Sequence, residues 1–261
     1  PFKGPVLAQR AYGDPALRRF RDLDFLVKEA DALATRRVLG TLGYDIRNSQ
    51  SPAQDAACRR YSGQEIFFRK GGVAPVEPHW ALAPQTLALD LDYAGLWRRV
   101  TTMTLAGQRI AGLTDEDLML TVCLHGSKEQ WVRLQWICDV AYLVAACPTL
   151  DWATLLARAA QQGCLRMVTT GLALAHELLE APIHEVVAQA IAADPTASAL
   201  ARQAADSLFQ PDRSEESIYE VTKFRLLMRE RWRDRARYVV RTILTPREVH
   251  FAALRLPDSL F

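Results

Sequence analysis

Asp22 and Asp24 stand one residue apart in "RRFRDLDFLV", an otherwise apolar run from Arg18 to Val27. Carboxylates are poor strand formers and costly to bury without a partner. Side chains alternate along a strand, so the two acids share one face while Leu23 and Phe25 take the other. Their Cα atoms then lie roughly 6.5–7 Å apart, two strand rises. Acids at that spacing can converge on a pair of divalent ions, which sit about 3.5–4 Å apart in phosphoryl-transfer sites. Magnesium suits such a site, because it takes few carboxylates, keeps several waters and accepts substrate phosphate oxygens. Two solvated aspartates at an exposed strand end give the same pattern, so the D-x-D alone decides nothing.

Its neighbours add to it. "KGP" at Lys3-Gly4-Pro5 falls at a strand-to-helix junction, where free N–H groups and a lysine make an anion site. "VAPVEPHW" puts Glu77 and His79 on a second strand, where Glu77 can supply a third carboxylate. Plain alternatives are an exposed strand glutamate and a packed or surface histidine. Arg18, just before the acids, is either a phosphate contact or a surface arginine near the strand start. A helix start with a lysine, an acidic strand and a later strand with one more acid suit a nucleoside triphosphate bound with metal.

The elements that must hold these residues change character near residue 112. Before it, apolar runs are short and broken by Gly and Pro. Pro5 to Tyr12 reads as a helix with Gly4 at its N-cap and Pro5 at its first position. "DLDFLV" reads as a strand, Glu29 to Leu42 as a helix closed by Gly43, and "YDIR" as a short strand. "QEIFFRKGGVAPVEPHW" reads as a hairpin turning at Lys70-Gly71-Gly72, and "VTTMTLAGQRIAGL" as another around Gly107. After residue 112 helical patterns dominate. Thr114 caps the first helix, with Asp117 three residues on as a capping-box variant. Further helices are expected over residues 131–147, 151–162, 165–179, 183–193 and 196–209, and a long Arg-rich one over 214–244. The expected fold class is α+β: a small mixed β-sheet domain at 1–112 and an all-helical C-terminal domain at 113–261.

In the helical half, His125, Lys128 and Glu129 share a face at i, i+3, i+4 spacing. They are either a polar patch on the nucleotide cleft, with Lys128 at a phosphate, or an ordinary helix end. Asp139 lies in the apolar helix "WICDVAYLV" and needs a partner, read here as an ion pair tying the two halves together. Arg213 to Arg241 holds nine basic and five acidic residues. That excess is read as a solvated, paired face in preference to a polyanion surface.

Bulk composition bounds the rest. The 261 residues are 49% hydrophobic and 24% charged, the profile of a globular protein. A net charge of +2 argues for neither nucleic acid nor an acidic substrate as a partner. Five cysteines without a C-x-x-C pair suit reduced thiols, hence a cytoplasmic location, and no apolar run is long enough to span a bilayer. The chain opens on Pro1, and "PFKG" reads as the tail of a strand, so sequence upstream of it is expected.

The order "KGPVLAQRAYGDPALRRFRDLDFLV", "LGTLGYDIR", "VEPHW" resembles the uncharacterised nucleotidyltransferase-like family of the polymerase-β-type superfamily. The stretch "LHGSKEQWVRLQWICDVAYLV" is similar to that family's His-rich helix and Arg…Asp segment, and "RTILTPREVHFAALRLP" to its closing segment. The resemblance implies a nucleoside monophosphate transferred from an NTP to an unidentified acceptor: a small molecule, a protein or RNA. It also implies Asp22, Asp24 and Glu77 as the catalytic, metal-binding acids for magnesium (or manganese). Lys3, Gly4 and Arg18 fall on the nucleotide side, and His79, His125 and Lys128 become further contacts of the cleft. Two departures stand out. The glycine motif reads Gly4-Pro5 in place of Gly-Gly or Gly-Ser, and Glu129 replaces a second helical His. Both are what a non-catalytic nucleotide- or partner-binding module keeping this fold would carry.

Overall fold

Gly4 adopts a left-handed conformation (φ 58°) that turns the chain into α1, Pro5–Tyr12, with proline at the first helical position. A Cβ built on Gly4 would sit 3.2 Å from the Asp22 carbonyl oxygen, so only glycine lets this turn lie against the segment entering β1, Leu23–Leu26. The computed structural model describes residues 1–46, 51–72, 74–210 and 218–245. The sequence motif at 246–257 lies outside them.

A short 3-10 turn, Glu29–Asp31, leads into α2, Ala32–Thr41, and then β2, Tyr44–Ile46. α3, Pro52–Ser62, starts at a capping box between Ser51 and Gln54. β3, Phe67–Arg69, and β4, Val76–His79, form the first expected hairpin. The sheet order is β1-β4-β3-β2; β1 and β4 are parallel and the other neighbours antiparallel, so the sheet is mixed. Its core is small: Leu39, Phe67 and Val76, with Leu23, Tyr44 and Ile46 against them. α4, Tyr93–Arg99, precedes β5, Thr101–Leu105, and β6, Gln108–Gly112. These two strands form a separate two-stranded sheet and do not extend the first.

The helical part follows: α5, Asp115–Lys128; α6, Leu134–Ala146; α7, Trp152–Gln161; α8, Leu165–Leu179; α9, Glu185–Ala192; α10, Pro195–Leu208. α8 is its hub, touching α5, α6, α7, α9 and α10. The fully buried Trp131 ring is wedged between α5 and α8. A Cβ on Gly171 would come within 2.8 Å of that ring, and one on Gly126 closer still, so both glycines are needed for the fit. Thr114 caps α5 as expected, but the Asp117 carboxylate serves the interior: Arg99 donates to it from Nε (2.8 Å) and Nη2 (2.9 Å).

The expected long Arg-rich helix is two helices, α11, Ile218–Leu227, and α12, Trp232–Leu244. No Gly or Pro marks the break. Arg166 of α8 makes it, donating from Nη1 to the carbonyls of Leu227 (2.6 Å) and Arg229 (3.0 Å) and so satisfying a helix end. Several α12 arginines are committed to other elements: Arg237 pairs with Asp90 and Arg241 donates to the Gln85 carbonyl.

α1 ties the sheet region to the helices. Leu7 and Ala11 of α1 belong to the main helical core with Ile137 and Val140. Asp139 finds its partner across this junction. Arg18 grips it in a fork, Nε to Oδ1 at 2.7 Å and Nη2 to Oδ2 at 2.8 Å, and the Tyr12 hydroxyl donates to Oδ1 at 2.9 Å. Cys123, Cys138, Cys147 and Cys164 are free thiols. Among the described residues, no helix is long and apolar enough to cross a membrane.

Candidate functional site

The parallel β1–β4 pair sets Asp24 opposite Glu77 and Leu26 opposite His79. With a two-residue period, Asp24, Glu77 and His79 share one face of the sheet. Their ligand atoms all lie within 4.8 Å of one another. Asp22 is not in this close group. The chain bends at Arg21–Asp22 and β1 begins at Leu23, so strict alternation does not reach back to Asp22. Asp22 still adds charge there, since after burial it is the largest influence raising Glu77.

Asp24 is more enclosed than Glu77, its side chain 4% exposed against 16%. Its Oδ1 meets two partners, Lys3 Nζ at 3.0 Å and His79 Nε2 at 2.9 Å. Burial works to raise its pKa, but the His79 hydrogen bond and the Lys3 charge outweigh that and hold it at about 2. Glu77 is half-buried and shifts the other way. Burial, then the charges of Asp22 and Asp24, push it up to about 7. Its Oε2 lies 3.8 Å from His79 Nε2 and accepts a long hydrogen bond from Gln64 Nε2, 3.4 Å.

Residues from the start of the chain close one side. The Phe2 N–H donates to the Asp24 carbonyl (3.3 Å), which lays residues 2–4 along the free edge of β1. Phe2 packs edge-on against the His79 ring with centroids 5.2 Å apart. Lys3 and the start of α1 are therefore brought to Asp24. α5 supplies the facing wall: burial, then the charges of Lys3 and Lys128, hold His125 neutral down to about 2. The His125 ring also stands edge-on to Trp136, centroids 5.1 Å apart. Lys128 pairs with Glu129 at 3.2 Å, and its charge reaches both Glu77 and His79. Arg18 is directed elsewhere, with Nε and Nη2 both given to Asp139.

Gln64 was not singled out from sequence. Its signal lies in the hairpin register, since pairing Phe67 with Val76 carries Gln64 to a bridge with His79. His79 was legible as a cleft contact two residues from Glu77, but its hydrogen bond to Asp24 depends on the β1–β4 pairing.

The donor set fits a divalent cation. Two carboxylates and an imidazole crowd one face, and burial, then the charges of Asp22 and Asp24, force Glu77 toward neutrality. A cation there would relieve that repulsion, and two carboxylates with an imidazole are ordinary ligands for one. The Gln64 hydrogen bond to Glu77 comes from outside the set, the kind of outer-shell contact that orients metal ligands.

A parallel strand pair carrying facing acids, with a Lys-Gly helix start beside it, suits a nucleotidyltransferase-type protein. The sequence model of the uncharacterised nucleotidyltransferase family matches residues 1–180, and the chain belongs to that family. No curated protein and no solved structure matches it.

Proposed function

We propose that the protein is a metal-dependent nucleotidyltransferase that moves a nucleoside monophosphate from an NTP to the hydroxyl of an acceptor. The observation that carries this reading is the strand-paired couple of Asp24 and Glu77, one acid held ionised and the other poised near neutral pH. Residues 1–112 supply the metal and nucleotide side, and residues 113–261 the wall carrying His125 and Lys128. Asp24 and Glu77, with Asp22 close by and His79 as an imidazole donor, would hold magnesium or manganese. The ion, when bound, neutralises triphosphate charge and acidifies the acceptor hydroxyl.

The protein's own groups do the rest. Lys3 and the turn at Gly4 receive the triphosphate at the start of α1, and Lys128 offers charge from the opposite wall. Glu77 takes the acceptor's proton. The acceptor oxygen bonds to the α-phosphorus, the bond to the bridging oxygen breaks, and pyrophosphate leaves with that electron pair. Such chemistry is mostly alignment and charge neutralisation, so few residues suffice.

The test is transfer of label from each α-labelled NTP, with magnesium and a cell extract as acceptor source. Wild type should label a molecule that Asp24→Asn does not. Magnesium-dependent NTP binding without transfer to any fraction would favour the non-catalytic module that the Gly4-Pro5 and Glu129 departures suggest.

A further inference from the structure

The Asp24 carboxylate already carries a cation. Lys3 Nζ sits 3.0 Å from Oδ1, and the Lys3 side chain is 14% exposed. The same oxygen meets His79 at 2.9 Å. A divalent ion bonds a carboxylate oxygen at about 2.0–2.6 Å, so on either Asp24 oxygen it stands close to the ammonium and competes with it for the same negative charge. We propose that Lys3 is a resident counter-ion that divalent metal must displace from Asp24, and that the displaced ammonium then binds the triphosphate. This rests on the metal-site reading above and goes beyond it by coupling the two ligands through one side chain.

The fold suits the exchange. Lys3 precedes the Gly4 turn, and its neighbour Phe2 is anchored by its N–H to the Asp24 carbonyl and by its buried ring. The backbone is therefore fixed while the long lysine stem can swing. Its short path runs from Asp24 toward the Gly4 turn, where a triphosphate would lie. Without nucleotide, moving Lys3 off Asp24 strands an ammonium, so metal binding is opposed. With triphosphate present, the ammonium gains a new partner and metal binding is favoured. Metal and triphosphate should then bind together far better than either does alone.

The experiment is a Mn²⁺ titration followed by electron paramagnetic resonance, with and without inorganic triphosphate, on wild type, Lys3→Met and Lys3→Gln. Without triphosphate, both variants should bind Mn²⁺ about tenfold more tightly than wild type, since a competing charge at a partly screened site is gone. With triphosphate, wild type should tighten by at least about tenfold while the variants gain little. Lys3→Gln keeps a polar, uncharged group at the position and guards against a folding defect in Lys3→Met. Unchanged or weaker Mn²⁺ binding in folded variants, with wild type binding the ion, overturns the exchange alone. No Mn²⁺ binding by any of the three, with or without triphosphate, overturns the metal site and the exchange together.

Discussion

Replacing Asp139 by Ala should be among the most damaging single changes in this protein. The carboxylate accepts a two-pronged ion pair from Arg18 and a hydrogen bond from Tyr12. The paired side chains are 9% and 2% exposed, so solvent screens the interaction little. The alanine variant leaves a buried guanidinium without its partner, which costs about 3–5 kcal/mol. For a chain of this size that corresponds to a fall in melting temperature of about 6–20 °C. Circular dichroism with thermal and urea unfolding measures it. The double variant Arg18→Met/Asp139→Leu should recover much of the loss, because both charges are then absent. Tyr12→Phe, which removes one hydrogen bond, should cost only about 1 kcal/mol. A loss below about 1 kcal/mol for Asp139→Ala would refute the reasoning, and so would a double variant no more stable than the single.

Other expectations follow from the site and its supports. Glu77 has a folded pKa of about 7 against an ordinary 4.5, so its contribution to stability is fully present below pH 4.5 and is lost as pH rises through 7. Without metal, Glu77→Gln should therefore be more stable than wild type at pH 8 and no different at pH 4, by urea unfolding; equal stability at pH 8 would contradict this. Asp24 has the opposite sign. Its folded pKa of about 2 against 3.8 gives stability that is present above pH 3.8, worth about 2 kcal/mol, and is lost as pH falls toward 2. Asp24→Asn should remove that acid-side slope. Gly4→Ala forces an alanine into the left-handed region against the Asp22 carbonyl and should cost about 1–2 kcal/mol, with weaker nucleotide binding. Gly126→Ala drives a methyl into the Trp131 ring and should cost about 1–3 kcal/mol or more, with loss of the tertiary near-ultraviolet signal.

What could be read from sequence was whatever local chemistry dictates. Gly4-Pro5 announces a helix start and Lys70-Gly71-Gly72 a hairpin connection, and α1 and the β3–β4 pair are where those residues put them. α3 escaped notice because its body, "PAQDAACRRYS", lacks a stripe of large apolar residues, although Ser51-Pro52 and Gln54 spell a capping box. α4 escaped because it has seven residues with a glycine inside. The break between α11 and α12 could not be read locally, since it is made by Arg166 from a distant helix.

The site divides in the same way. Asp24 and Glu77 were legible as acids on strands, and their juxtaposition is the strand pairing itself. The exchange of Asp22 for His79 in the close group depends on a bend one residue before β1. Arg18 had two readings on sequence, phosphate contact or surface residue. Its buried fork on Asp139 comes from α6 packing on α1, a contact between parts of the chain more than a hundred residues apart.

The central claim is that Asp24 and Glu77 together hold a divalent cation that engages a nucleotide. Crystals grown with manganese and a non-hydrolysable NTP analogue test it most directly, through anomalous scattering at the manganese edge. The expected result is a manganese peak at the carboxylates of Asp24 and Glu77, with the analogue's phosphates on the side of Lys3 and Gly4. Phosphates bound at another face, with no anomalous peak at these two acids, would contradict it.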